Sequence, residues 1–460
     1  MKVWNYFASI LETYGIRIMV SKINQLRKLV KKGASNEMVY RISKFILHNE
    51  LTFIEDRHLE DYFLVAHRLV SELKDIKEVL LGPGWGGMIS SHVCYVLGIT
   101  NINMHDDPIL LWGNGKINPT INIEVDEESY HLVYNKAIEL FGFKNVARMP
   151  VMNEKNIKKH EFIGTKVNGE KVYFHACALL ICLDGVKKHF DVEEVNDENG
   201  NKILCVREFV EEYDNTKVLR FNVLQSHILT RIKKIQKLLD NNGKDYPKMY
   251  EKNIWNEDYH LFCNGDLDDI PGFDGDNIQE ITKKMIQSKG LPYFDRLLII
   301  QGLYSLGECD FLSNKKKTAE YKKKYQLFPF IKLLPYGILY AEDAAWFVHG
   351  WIGLTWKQTW QVLQFVFKKK ESEAGKLKKI YLRQGIDNGF KEAELVHIWE
   401  SLFERTPLRS KSHFIGRLYL SVFLAGLKHN YPEEFSELFA EYNCNNRKEN
   451  IIQNLNAALR

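Results

Sequence analysis

The sequence predicts an α+β protein, and three observations carry that expectation. Apolar residues recur at three- and four-residue spacing through RISKFILHNELTFIEDRHLEDYFLVAHRLVSEL (41–73), the period of packed helices. Between about 160 and 240 strand patterns dominate, and TKVNGEKVYFHACALLICL (165–183) reads as a hairpin about Asn168-Gly169. Beyond 290 the chain is again mostly helical. Together these give a mixed-sheet segment with helical material before and after it.

The elements follow in order. Residues 1–80 are helical. The glycine cluster LGPGWGGMISS (81–91) breaks the helical period and leads into an apolar stretch ending at LGIT (97–100). In NPTINIEV (118–125), Ile121 and Ile123 alternate with Thr120, Asn122 and Glu124, which predicts a strand with one apolar and one polar face. DEESYHLVYNKAIELFG (126–142) is a helix begun by acids. KVLRFNVL (217–224) is a further strand, followed by the helix HILTRIKKIQKLL. Residues 241–290 are loop-rich and acidic, and 291–460 are helical. The segments expected are therefore 1–80, 81–240, 241–290 and 291–460.

Composition narrows the function classes. The 460 residues are 45% hydrophobic and 27% charged, as in ordinary globular proteins, and the net charge of +4 admits a nucleic-acid partner without demanding one. Seven cysteines form no CxxC pair, so reduced thiols are expected rather than a zinc site or a disulfide framework. MKVWNYFASILETYG lacks the pattern of a signal peptide, and no run of 18 apolar residues exists. The expectation is a cytoplasmic protein without a membrane partner.

GPGWGG (82–87) has glycines that let backbone N–H groups approach an anion, but it lacks the Lys-Ser/Thr of a P-loop and does not match GxGxxG. By itself it reads as a tight turn before a helix. Its neighbours add to that. DYFLVAHRLVSEL, then GPGWGGMISSHVCYVLGIT, then NPTINIEV resembles the core of bacterial DNA polymerase III alpha subunits, the C family of DNA polymerases, with its DYFLI, GPGRGSxxxSLVxYxLGIT and PDIDIDF blocks. FHACALLIC (174–182) is similar to the family's HAAGVVIS strand and KVLRFNVL to its LLKIDFLGL strand. YGILYAEDAAW (336–346) is similar to YGVIVYQEQVM, and RSKSHFIGRLYLSVFLAGLKHNYPEEF (409–435) to FNKSHSVAYALLSYQTAYLKAHYPAEF.

The resemblance implies a nucleotidyltransferase-type palm around a small mixed sheet, with predominantly helical thumb and fingers. It implies that only this core is present. The family holds two magnesium ions on aspartates of the PDIDIDF and LLKIDFLGL strands. Matched by position, those aspartates become Thr120, Asn122, Glu124 and Asn222. Glu124 alone could ligate a metal, so no cofactor is expected, and magnesium only if activity is retained. The triphosphate-facing arginine and serine of the family's loop correspond to Trp85 and Gly87, beside Gly84 and Gly86. Lys411, Ser412 and His413 keep a KSH motif near the expected nucleotide site, where an exposed helix start is the alternative reading.

Asp126, Glu127 and Glu128 read as acids at a helix N-terminus. Lys315, Lys316 and Lys317 with Lys322–Lys324, and Lys368, Lys369 and Lys370 with Lys376, Lys378 and Lys379, form two runs. They are either solvated helix faces or contacts to a DNA backbone. QLFPF (326–330) reads as core packing, and DLDDIPGFDGD as a surface loop. The best reading is a polymerase-like protein of replication, repair or a mobile element that binds DNA in a sequence-independent way, with a degenerate catalytic centre. The alternatives are an active DNA-directed DNA polymerase with altered metal ligands and a protein–protein scaffold without DNA binding. Other replication or mobile-element proteins are the further partners expected.

Overall fold

The structure, a computed structural model, describes residues 16–34, 44–102, 120–150, 162–167, 170–196, 200–207, 213–214, 216–250, 259–287, 291–306, 338–368, 374–404 and 408–439. It divides into two compact units, Met1–Ser226 and His227–Arg460. The division falls inside the segment expected at 81–240 and assigns the helix HILTRIKKIQKLL to the second unit. No helix among the described residues is long and apolar enough to cross a membrane.

The first unit holds helices α1 (Ile16–Ala34), α2 (Lys44–Asp56), α3 (Glu60–Lys74), α4 (His92–Val96) and α5 (Tyr130–Phe141). Its strands are β1 (Ile121–Val125), β2 (Val146–Pro150), β3 (Phe162–Val167), β4 (Glu170–Ile181), β5 (Val192–Asn196), β6 (Lys202–Val206) and β7 (Leu219–Gln225). They form one sheet in the order β1-β7-β4-β2-β6-β5, with β3 paired to β4. β1 runs parallel to β7 and β2 to β6, while the other pairs are antiparallel, so the sheet is mixed as the sequence predicts. β3 and β4 make the expected hairpin; Asn168 and Gly169 lie outside the described residues. β2 is a strand that the pattern did not disclose.

Strand alternation sorts side chains between two faces. Ile121, Ile123 and Val125 of β1 and Phe221 and Val223 of β7 join a core that includes Leu26 of α1, Ile54 of α2, Phe63 and Leu69 of α3 and Val133 of α5. Ala178 and Leu180 of β4 with Ala147 and Met149 of β2 build a second core on the other face. Asn122 and Asn222 belong to that second face, at its β1–β7 end, since Asn222 is the register partner of both Asn122 and Ala178.

One buried tyrosine fixes the start of this strand pair. Tyr62 of α3 stacks on Phe221, with ring centroids 4.8 Å apart. Its hydroxyl accepts from the Ile121 N–H at 2.8 Å and donates to the Arg220 carbonyl at 2.7 Å. A helix side chain thereby bridges the backbones of β1 and β7 where they come together.

The second unit comprises α6 (His227–Asn241), α7 (His260–Asn264), α8 (Asp276–Ile286), α9 (Tyr293–Ser305), α10 (Ala341–Trp346), α11 (Trp356–Lys368), α12 (Ala374–Asp387), α13 (Glu392–Glu404) and α14 (Lys411–Asn430). α14 is its central helix, buried almost continuously from Leu418 to Leu427 and packed against α6, α7 and α9. α7 and α8 lie in the segment read from sequence as loop-rich. In α8 the residues Ile278, Ile281 and Met285 supply a buried stripe at helical spacing, which the acidic, glycine-rich lead-in obscured.

Replacing Tyr62 by Phe keeps the ring and removes the hydroxyl, leaving the Ile121 N–H and the Arg220 carbonyl without it. Urea denaturation is expected to show a loss of about 1–3 kcal/mol, with faster hydrogen exchange at Ile121. An unchanged midpoint would show that the hydroxyl does not hold the pair.

Candidate functional site

The register places two of the four residues matched to the family's aspartates, Asn122 and Asn222, side by side. Asn122 and Asn222, a hundred residues apart in sequence, face each other across parallel strands, and the Asn222 amide Nδ2 donates to Asn122 Oδ1 at 2.9 Å. Asn122 Nδ2 in turn donates to the Trp85 carbonyl oxygen at 2.8 Å, so the glycine loop is tied to the same point. The Trp85 carbonyl can only accept. That fixes which end of the Asn122 amide points at the loop, and hence which end meets Asn222. Asn222 Oδ1 is buried and finds no donor among the described residues.

The loop lies along β1. Leu81 bridges Val125 and the Gly82 N–H donates to the Glu124 carbonyl at 2.8 Å. A Cβ at Gly82 would come 2.3 Å from Glu124 Oε2, so glycine is required there for the Glu124 side chain to pack. Gly84 (φ 108°) and Gly86 (φ 73°) turn the chain with left-handed backbone on either side of the extended Trp85. A short 3₁₀ turn, Gly86–Ser90, which includes Gly87, then leads to α4. The loop is thus a tight turn before a helix. At the start of α4 a buried carboxyl intervenes: Glu50 of α2 accepts from the Ser91 hydroxyl and, at 3.0 Å, from the Val93 N–H.

Glu124 is buried on the Asn122 face, while Thr120 is exposed just before β1. Asp126 is fully buried and serves the backbone, accepting from Leu80 N at 3.0 Å and from Ser129 N at 3.1 Å. The reading of Asp126 as an acid at a helix start agrees with that cap. These donors do not fit a magnesium pair. Hard Mg²⁺ takes anionic oxygens, whereas here one carboxylate stands beside two amides already bonded to each other and to the loop. Among the described residues no three His, Cys, Asp or Glu side chains converge as a metal-ligand set.

Lys411, Ser412 and His413 belong to the second unit and open α14. Ser412 is fully buried, Lys411 half-buried and His413 exposed. The buried carboxyl of Glu342, on α10, accepts from the Ser410 hydroxyl, from Lys411 N at 2.7 Å and from Ser412 N at 3.3 Å. Burial pushes the Glu342 pKa up, against the opposing effect of these hydrogen bonds. Beside it, Asp343 Oδ2 accepts from the backbone N–H groups of Leu339 (3.1 Å) and Tyr340 (3.0 Å). Enclosure of its carboxyl raises the Asp343 pKa to about 6, with the Lys411 cation opposing. Desolvation first, and then the Arg409 cation, hold the His413 imidazole below its ordinary pKa, although its surface is exposed.

The lysine runs divide. Lys315, Lys316, Lys317, Lys322–Lys324, Lys369 and Lys370 lie outside the described residues, as does QLFPF. Lys368 ends α11, and Lys376, Lys378 and Lys379 are on α12. Sequence reasoning missed Tyr62, Glu50 and Glu342. Glu342 carried a signal, being one of two acids in the otherwise small and apolar run AEDAAW. Cys94, Cys182, Cys205 and Cys263 are free. Burial pushes the thiols of Cys182 and Cys205 up to about 12, which suits packing rather than nucleophilic chemistry.

Comparison with known proteins finds similarity to DNA polymerase III alpha subunits. Residues 24–167 match the family described as bacterial DNA polymerase III alpha NTPase domain, a span that includes the later part of α1, α2–α5, the glycine loop and β1–β3. The DNA polymerase III subunit alpha of Aquifex aeolicus (strain VF5) is 20% identical over 510 aligned residues, covering 89% of this chain and 42% of that protein. The corresponding subunit of Thermotoga maritima is 22% identical over 418, covering 86% and 46%. The error-prone DNA polymerase 1 of Rhizobium meliloti (strain 1021) is 33% identical over 81 residues, 17% of this chain and 7% of that protein. The chain is DNA polymerase III alpha-like, and it spans less than half the length of the curated relatives it matches.

Two outcomes follow from the site. Asn222→Asp sets a carboxylate against Asn122 Oδ1, and turning the Asn122 amide would only move the conflict to the Trp85 carbonyl. Chemical denaturation in chelator is expected to show about 1–3 kcal/mol of destabilisation; a neutral result would mean that the amide bond is not formed in solution. Asp343 holds its proton more tightly folded than unfolded, so its contribution is most favourable below pH 4 and is lost as pH rises towards and through 6. The loss is at most about 3 kcal/mol. A pH series of denaturation curves should show this decline for the intact chain and a flatter profile for Asp343→Asn.

Proposed function

We propose that the chain is a DNA polymerase III alpha-like protein of replication or repair that binds DNA and does not itself join nucleotides. The Asn222–Asn122–Trp85 hydrogen-bonded relay carries this reading. At the point where the resemblance requires paired anionic oxygens, the residues are amides bonded to each other, and the loop expected to meet a triphosphate is bonded to Asn122 through its backbone. Trp85 stands in that loop where the family has a cation, which removes a partner for phosphate as well. The strand framework supports a palm-like role in positioning DNA, and the remaining carboxylate, Glu124, packs against Gly82 (Cβ clash distance 2.3 Å from Oε2).

The direct test is primer extension with purified protein, primer–template DNA, four dNTPs and Mg²⁺ or Mn²⁺. No product above a protein-free control is expected. Metal stabilisation supplies several kcal/mol of barrier lowering, and each ~1.4 kcal/mol is tenfold in rate. Template-directed extension that disappears in Glu124→Ala would overturn the reading and establish an active enzyme.

A further inference from the structure

The lysine run at 368–379 continues onto α12, and there the structure separates its cations by what they do. One side of α12 is structural. Leu377, Tyr381 and Gly385 are buried, the Tyr381 ring lies 5.1 Å from Trp399 of α13, and a Cβ at Gly385 would meet Leu395 Cδ2 at 2.6 Å. Lys378 is on that flank, 3.9 Å from Glu400 of α13. Lys376, Lys379 and Arg383 are exposed and make no ion pair or hydrogen bond with any described residue. They are joined by two exposed isoleucines, Ile380 (39%) and Ile386 (46%).

Helical phase gives these five side chains an order. At 3.6 residues per turn, Lys376, Lys379 and Arg383 fall within an arc of about 60°, and Ile380 and Ile386 flank it on opposite sides. Asp387, at the end of the helix, lies about 20° outside this arc, beside Lys376. Cations therefore run along the centre and apolar groups along the margins. A helix that docks into another protein has the reverse order, with apolar residues central and charges on the rim. A helix lying on a bilayer likewise turns a broad apolar arc inward. A sugar–phosphate backbone fits the order on α12, with phosphates over the cation row and sugar edges against the isoleucines.

We infer that the outer face of α12 is a DNA-backbone track, in which Lys376, Lys379 and Arg383 contact successive phosphates and Ile380 and Ile386 border the strand. Lys378 is excluded from the track and serves the α12–α13 packing. The inference rests on the DNA-binding reading above and adds to it which side chains of the run form the track, with Arg383 and the two isoleucines joined to it and Lys378 removed.

The test uses the full chain and a fluorescein-labelled mixed-sequence duplex of about 30 base pairs, followed by anisotropy across a salt series. Joint replacement of Lys376, Lys379 and Arg383 by Ala should lower the log–log salt slope by roughly 2–3 and weaken binding by roughly a hundredfold at moderate salt. Removing the same charge at the exposed Lys187, Lys188 and Lys202 of the first unit should change the slope much less, and Lys378→Ala should leave it unchanged. Ile380→Ser with Ile386→Ser should weaken binding severalfold at constant slope. All these side chains but Lys378 are exposed, so circular dichroism should show every variant folded. An intact chain that binds DNA, with a triple variant of equal slope and affinity, overturns the α12 track and leaves DNA binding standing. An intact chain that binds no DNA at low salt overturns both. Binding to phosphatidylserine vesicles that is lost in the isoleucine variant reassigns the face to a membrane and overturns the track.

Discussion

The site depends on a single hydroxyl. Tyr62 projects from α3 and accepts from one strand backbone while donating to the next, so helix, β1 and β7 are joined at one atom. Strand pairing has a side-chain period of two, and a slip of one residue would send Asn122 to the core face and Ile121 or Ile123 to the polar one. The stacking of Tyr62 on Phe221 opposes such a slip with apolar area, and the hydroxyl opposes it with direction. The pairing of Asn122 with Asn222, and everything argued from it, follows from that register.

What the register creates is an ordered line of dipoles. Each amide has a donor end and an acceptor end, and the Trp85 carbonyl at the head of the line determines the sense of both. Two carboxylates in these positions would repel each other unless a cation lay between them. The amides need no such mediator, and they draw the glycine loop onto the strand. The amide pair therefore supplies cohesion between loop and sheet.

Periodicity disclosed the helices of the first unit, the strands β1 and β7 and the hairpin of β3 and β4, because each carries its signal within a few residues. It did not disclose β2, whose VARMP sequence is buried at Val146, Ala147, Arg148 and Met149 alike and so shows no alternation, or α8, where the acidic glycine-rich lead-in masks a regular buried stripe. The adjacency of Asn122 and Asn222 was accessible only through the family resemblance, since no local pattern spans a hundred residues. Tyr62 gave no signal at all: in sequence it is one more apolar position on a helix. Nor could the lysines of α12 be sorted until the helix had a buried side and Glu400 stood next to Lys378.

Two helix starts share a device whose effect reaches beyond stability. The first turn of a helix exposes backbone N–H groups and a partial positive charge, and this is the usual means by which a loop–helix junction captures phosphate. At α4, just after the glycine loop, Glu50 already takes a serine hydroxyl and a backbone N–H; at α14, in the KSH segment, Glu342 takes a serine hydroxyl and two. Each helix thus carries an internal carboxyl in the seat that an external anion would use. A nucleotide approaching either junction would meet a group that competes with its phosphates, and only side chains such as Lys411 would be left to greet it. At both junctions the chain's own carboxyls occupy first-turn N–H groups, those of Val93, Lys411 and Ser412.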